Sequence, residues 1–276
     1  MTPIKKIQDE HGIVGRETEL ATALAVLASG RHLLLEGPVG VGKTTVALAV
    51  CRHLGQQTVR VDGDDRYTES KLTGWFDPPL VLQKGYSEET FFAGPLVEAM
   101  REGEVLFINE LNRMPEAVQN VLLPALDEHL LIVPRIGAVR AVPGFQVVAT
   151  QNPVEYIATG HLSEALRDRF EHVSLEYQNE EEEAAIVTRE TGCENDELVR
   201  AAVAVTRATR VDPRFRKGAS VRAAIAMVAI AAYFDTPDAL ERAAAAALPT
   251  RVELHDEQEG SLDEVLAELV LEARKK

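Results

Sequence analysis

Residues 37–44 read Gly-Pro-Val-Gly-Val-Gly-Lys-Thr and satisfy the pattern G-x-x-x-x-G-K-[ST]. The chemistry this spacing suits is phosphate binding. Glycines at 37, 40 and 42 let the backbone turn its N–H groups inward on an anion. Lys43 brings a point charge to the outer phosphates of a nucleoside triphosphate. The Thr44 hydroxyl is a hard oxygen ligand suited to Mg2+, and a helix starting there adds the positive end of its dipole. Both flanks fit: apolar HLLLE precedes the stretch and helical TTVALAVCRHL follows it, which a chance glycine-rich turn would not require. Nucleotide contacts are expected from Gly37, Pro38, Gly40, Val41, Gly42, Lys43, Thr44 and Thr45.

A second signal closes an apolar run. Residues 105–108, Val-Leu-Phe-Ile, lead into Asn109 and Glu110. Glu110 follows the position expected beside the metal, where a carboxylate orients and deprotonates an attacking water. Small-molecule kinases share the glycine loop but need no such glutamate, so the pair points to hydrolysis coupled to motion. Nucleotide-hydrolysing proteins usually carry a carboxylate where Asn109 stands. An amide oxygen still accepts a hydrogen bond from a metal-bound water but brings no charge. The expectation is a weakened metal site, with Thr44 and Asn109 as its residues, which Asn109→Asp would strengthen. Failing that, Asp62, Asp64 or Asp65, near the end of another strand, would supply the charge.

Two further groups follow in order. FQVVATQNP ends in Asn152, placed either to hold the γ-phosphate or its attacking water, or simply to form the turn before Pro153. SEALRDRFE, residues 163–171, reads as a Ser-capped helix with Arg167 and Arg169 at its end. These arginines either complement the helix dipole or reach a neighbouring subunit's γ-phosphate as an arginine finger.

The elements that must position these groups alternate. Strands are expected at residues 32–36, 58–62, 105–109 and 146–150, with helical stretches such as 44–54 and 115–127 between them. That order implies an α/β core with a parallel sheet. Residues 130–144, with Pro134, Gly137, Pro143 and Gly144, suit a β-hairpin. From about residue 178 the pattern is helical, at 180–191, 195–210, 219–234, 237–247 and 261–274, with Asp235-Thr236 as a cap and no strand expected. The glutamate run 180–183 reads as a solvated first helical turn.

Composition narrows the partners. The chain has 276 residues, with 29 Lys and Arg against 44 Asp and Glu, for a net charge of −15. A phosphate backbone gains nothing from that balance, so nucleic acid is not an expected partner. Two isolated cysteines, Cys51 and Cys193, suggest a reducing compartment. The first twelve residues lack the apolar core of a signal peptide. The longest apolar run, 223–234, is twelve residues and too short to span a bilayer. A cytoplasmic protein is expected.

The ordered motifs resemble an AAA+ ATPase and, more narrowly, the MoxR family. IVGRE at 13–17 resembles the segment against adenine, which brings Val14 into the nucleotide set. FFAGPLVEAMREGEVLFINELNRMPEAVQNVLLPALDE at 91–128 resembles the family's G-P-L element, Walker B strand and N-R segment. ATQNPVEYIATGHLSEALRDRF at 149–170 resembles its sensor 1 and finger region, and GASVRAA at 218–224 its sensor 2, with Arg222 as the sensor arginine and Val221 where Pro is usual.

That resemblance implies an AAA+ P-loop core over residues 1–178 and a small all-helical lid over 179–276. It implies a helix-2 insert at about 75–90 and a pre-sensor-1 hairpin at about 130–144. It also implies ATP and Mg2+ as cofactors, a homo-oligomeric, hexameric ring, and remodelling of a client protein with a von Willebrand A-domain partner. Three alternatives stay open: a nucleotide switch that does not hydrolyse, a DNA-acting motor supported only by Arg135, Arg140 and Lys84, and a chelatase subunit.

Overall fold

A computed structural model describes residues 2–153, 162–256 and 261–274. Residues 154–161 of the sensor 1 segment, and Gly260, lie outside the described residues. The chain divides into two units. One comprises Met1–Pro38 and Gly42–Glu176, and the other Val39–Val41 and Tyr177–Lys276.

Among the described residues five short strands form the parallel sheet of the first unit: β1 (His32–Glu36), β2 (Thr58–Asp62), β3 (Val105–Asn109), β4 (Gln146–Gln151) and β5 (Phe170–Ser174). Their order is β2-β3-β4-β1-β5. The three central strands are almost wholly buried, as their near-continuous apolar runs require when helices cover both faces. Alternation divides the side chains between those faces. Leu34, Leu106, Ile108, Val147 and Ala149 join Leu96, Val97 and Met100 of the Pro95–Glu102 helix in one core. Each such buried side chain contributes roughly 1.5–3 kcal/mol. β5 escaped the sequence reading because it is an edge strand with only Phe170 and Val173 buried.

Register aligns the carboxyl ends of the strands. Asp62 pairs with Asn109 across β2 and β3, and Glu36 pairs with Gln151 and with Ser174. In open parallel α/β sheets, ligands bind outside the carboxyl ends of the strands.

The helix expected over 115–127 is two, Glu116–Asn120 and Leu122–Asp127. Pro124 has no N–H for the Asn120 carbonyl, so the first helix ends there. The insert is bounded by an antiparallel pair, Gly74–Phe76 with Phe91–Ala93, around a short Asp77-capped helix, Pro78–Lys84. The hairpin forms between Leu130–Val133 and Gly137–Arg140. Arg135 at its tip adopts φ 71° and lies 5.2 Å from the Tyr86 ring of the insert.

Among the described residues five helices build the second unit: Glu180–Thr191, Asp196–Val211, Val221–Ala231, Ala239–Ala247 and Leu262–Ala273. They enclose a core of their own around Val187, Val199, Met227, Leu240 and Leu266. Three sequence expectations need correction. Phe215–Lys217 pairs antiparallel with Glu253–Leu254, strands too short for periodicity to show. The fourth helix begins after Asp238, not after Asp235-Thr236. The glutamate run is not solvated throughout: Asn179 caps the helix with Glu182 in a capping box, but Glu183 is buried. Among the described residues, no helix is long and apolar enough to cross a membrane.

Candidate functional site

The phosphate loop takes the backbone its glycines permit. Gly40 and Gly42 have φ of 80° and 93°, the left-handed region that side chains avoid. Gly42 caps the Lys43–His53 helix, and a Cβ built on it meets no atom within 4 Å. Lys43 Nζ donates to the carbonyls of Gly37 and Pro38, 2.7 Å each, which holds the ammonium across the loop. Thr44 is half-buried and Thr45 exposed.

Thr44 meets the end of β3. Its Oγ1 donates to Asn109 Oδ1 at 3.2 Å, and Thr150 Oγ1 donates to the same oxygen at 3.1 Å. Asn109 Nδ2 in turn donates to Asp62 Oδ1 at 3.0 Å. Arg60 also binds that carboxylate, at 2.9 and 3.3 Å. The Arg60 guanidinium holds the Asp62 carboxyl below the usual carboxylate range; burial opposes it, and the Asn109 amide adds a smaller lowering. Asp64 and Asp65 turn instead to Arg66.

Glu110 adopts φ 57°, a conformation that costs a non-glycine residue about 1–2 kcal/mol. Two contacts over-determine it: its N–H donates to Thr150 Oγ1 at 3.0 Å, and its carboxylate pairs with Arg113 at 2.8 Å. The sequence reading missed Gly63. Its N–H donates to Asn109 O at 2.7 Å, and a Cβ there would lie 2.1 Å from Glu110 O. An isolated glycine after a strand was the available signal. Asn152 is buried, and its carbonyl accepts from Asn112 Nδ2 at 3.4 Å.

The other expected residues make contacts of their own. Arg169 is bound to Asp127 through Nε, 2.8 Å to each carboxylate oxygen, and also donates to Ala165 O. Arg167 is exposed. Val14 is half-buried in a segment held by Gln8, which donates to Gly15 O at 2.7 Å and Glu17 at 2.8 Å. In the second unit, Arg222 is an exposed residue in the first turn of the Val221–Ala231 helix. The chain leading to it is pinned at Ala219, whose N–H donates to Thr209 Oγ1 and whose carbonyl accepts from Arg210 Nε, at 2.9 and 2.6 Å. Cys51 is no nucleophile, since burial pushes its thiol up to about 12.

The donors at the strand tips suit a hard cation. Thr44, Asn109, Asp62 and Glu110 offer oxygen only, the set Mg2+ prefers. Among the described residues, no three His, Cys, Asp or Glu side chains group to hold a metal ion by themselves. That fits Mg2+, which is usually held by one or two side chains together with phosphates.

The AAA domain of the dynein-related subfamily matches residues 32–170, half of the chain, from β1 into β5. The chain belongs to this AAA family. It is similar to the gas vesicle ATPase GvpN2 of Halobacterium salinarum, 34% identical over 177 residues that cover 58% of this chain and 52% of that protein. It is also similar to the protein YojN of Bacillus subtilis, 29% identical over 241 residues, 84% of this chain and 78% of that one. The kinship is MoxR-like, as the ordered motifs implied. The matches span only 52%, 63% and 55% of the lengths of three gas vesicle ATPases. Among solved structures, NtrX from Brucella abortus in complex with ADP aligns over 95% of this AAA chain and 60% of its own, with a TM-score of 0.60 at 20% identity, a likeness of fold.

Proposed function

We propose that this AAA chain binds ATP with Mg2+ and hydrolyses it to drive a ring that remodels or activates a client protein. The observation that carries the reading is the hydrogen bond between Thr44 of the phosphate loop and Asn109 at the end of β3, with Glu110 next in sequence. It joins the two motifs the sequence kept 65 positions apart. In this reading the loop amides, Lys43 and Thr45 hold the phosphates, and Val14 lies against adenine. Mg2+, when bound, neutralises charge developing on the phosphates. Glu110 takes the proton of the attacking water once its carboxylate leaves Arg113, and Asn152 orients that water. Arg222, in the helical unit, is the sensor arginine in this reading.

A homo-oligomeric, hexameric ring and a von Willebrand A-domain partner come from the MoxR resemblance. In such a ring Arg167 or Arg169 completes the neighbouring site. Arg167 is already exposed, whereas Arg169 takes that role only by releasing Asp127. The net charge of −15 does not favour a DNA-acting motor.

Glu110→Gln tests the reading. Phosphate release should fall at least about tenfold, within the 10²–10⁴ range of general-base effects, with ATP binding retained. Equal turnover in both proteins would remove Glu110 from the chemistry. A wild type that binds ATP but releases no phosphate would be a nucleotide switch.

A further inference from the structure

We propose that Asp62 and Asn109 together perform the task of the single carboxylate expected at the end of β3: Asp62 holds the negative charge and positions Asn109, whose amide relays that charge to Thr44. The inference rests on the nucleotide reading above and names a positioning residue for its metal.

Sheet register makes the pair. Asp62 and Asn109 are direct partners across the parallel strands β2 and β3. The amide can face only one way. An ionised carboxylate is an acceptor alone, so Asp62 takes the Nδ2 side at 3.0 Å. Thr150 Oγ1 receives the Glu110 N–H, so it turns its own proton to Asn109 Oδ1 at 3.1 Å. The same oxygen receives the Thr44 hydroxyl at 3.2 Å. The result is a chain from the Asp62 carboxylate through the Asn109 amide to the Thr44 hydroxyl.

Such chains are cooperative. A carboxylate drawing on one end of an amide makes its oxygen a stronger acceptor. A stronger acceptor fixes the Thr44 proton inward and leaves the hydroxyl lone pairs for a cation. Side chains at this remove commonly alter metal affinity by about 10–100-fold. Arg60 shares Asp62, but the pair is half-exposed and therefore screened.

The geometry also accounts for the asparagine. With Asp at 109, two carboxylates would meet at the distance where Asn109 now donates to Asp62, and their repulsion would disfavour ionising both. Asn is the residue that bonds to Asp62. Asn109→Asp alone would therefore not improve the metal site, contrary to the sequence expectation. The charge has moved one strand over.

The test uses the full chain with a non-hydrolysable ATP analogue. Mn2+ affinity of the nucleotide complex is read by electron paramagnetic resonance, and nucleotide affinity is measured separately in EDTA. Asp62→Asn, an isosteric change at an exposed side chain, should weaken Mn2+ about tenfold and leave metal-free nucleotide affinity within about twofold. Asn109→Asp alone should bind Mn2+ no more tightly than wild type. The transposed variant, Asp62→Asn with Asn109→Asp, should return to within about threefold of wild type. Wild-type Mn2+ affinity in Asp62→Asn, or a transposed variant no better than Asp62→Asn, would overturn the inference. A wild-type chain that binds no nucleotide, with or without metal, would instead overturn the functional reading and this inference with it.

Discussion

Glu183 in the helical unit and Asp62 at the strand tips are both carboxylates that accept from arginine and from a second donor. Their surroundings differ. The Glu183 side chain is 3% exposed, with Arg210 at 2.7 Å and Arg207 at 3.2 Å. Arg210 also stacks 3.8 Å from the Tyr177 ring and donates to Ala219 O. The Asp62 side chain is 60% exposed and shares its oxygens between Arg60 and Asn109. A buried ion must be matched nearly completely or it is lost to water. An exposed one is stable with partial pairing, so part of its charge remains available to a neighbour. The same chemistry is therefore architectural in one unit and poised for a ligand in the other.

Removing Glu183 is the harshest way to break that contrast. Glu183→Ala strands two arginines, one of them largely buried, and should lower unfolding free energy by about 3–5 kcal/mol in a denaturant titration. A loss below about 1 kcal/mol, the range of exposed pairs, would place Glu183 in the same class as Asp62.

His32 offers an intermediate case, a buried titratable group kept neutral. Burial lowers it to about 4, with the His129 and Arg31 charges adding to the effect and the Leu126 carbonyl opposing it. Its Nδ1 accepts from Val147 N–H at 3.0 Å. The folded value lies below the unfolded value of 6.5, so the unfolded chain binds more protons between them. Stability is full above pH 6.5 and is lost as pH falls toward 4. At pH 5 the loss should be about 2 kcal/mol. Equal unfolding free energies at pH 7 and pH 5 for wild type, or the same slope in His32→Gln, would show that His32 is not the titrating group.

Asp62 should show the smallest effect on stability. Asp62→Ala should shift unfolding free energy by less than about 1 kcal/mol, as for other exposed pairs. A loss like that of Glu183→Ala would make Asp62 architectural and erase the contrast.

Local spacing decided what could be read from the chain. The glycine loop, Glu110, the hairpin and the helical final third all declare themselves within a few residues, because turn chemistry and periodicity are local. β5 did not, since one buried edge contributes only Phe170 and Val173. Nor did the split at Asn120, although Pro124 was in view.

By itself, the sequence determined the phosphate loop, the strand ending at Asn109-Glu110, and the change from α/β to helical pattern near residue 178. Each follows from backbone preferences and side-chain order over about one element. Only the tertiary structure decided which carboxylate answers Asn109 and which glutamate of the run 180–183 is buried. Asp62 and Asn109 are 47 positions apart and meet through the register of a parallel sheet. Glu183 and its arginines are 24 and 27 apart and meet through helix packing. Sequence order states that these charges exist, and strand order and packing state which of them water still reaches.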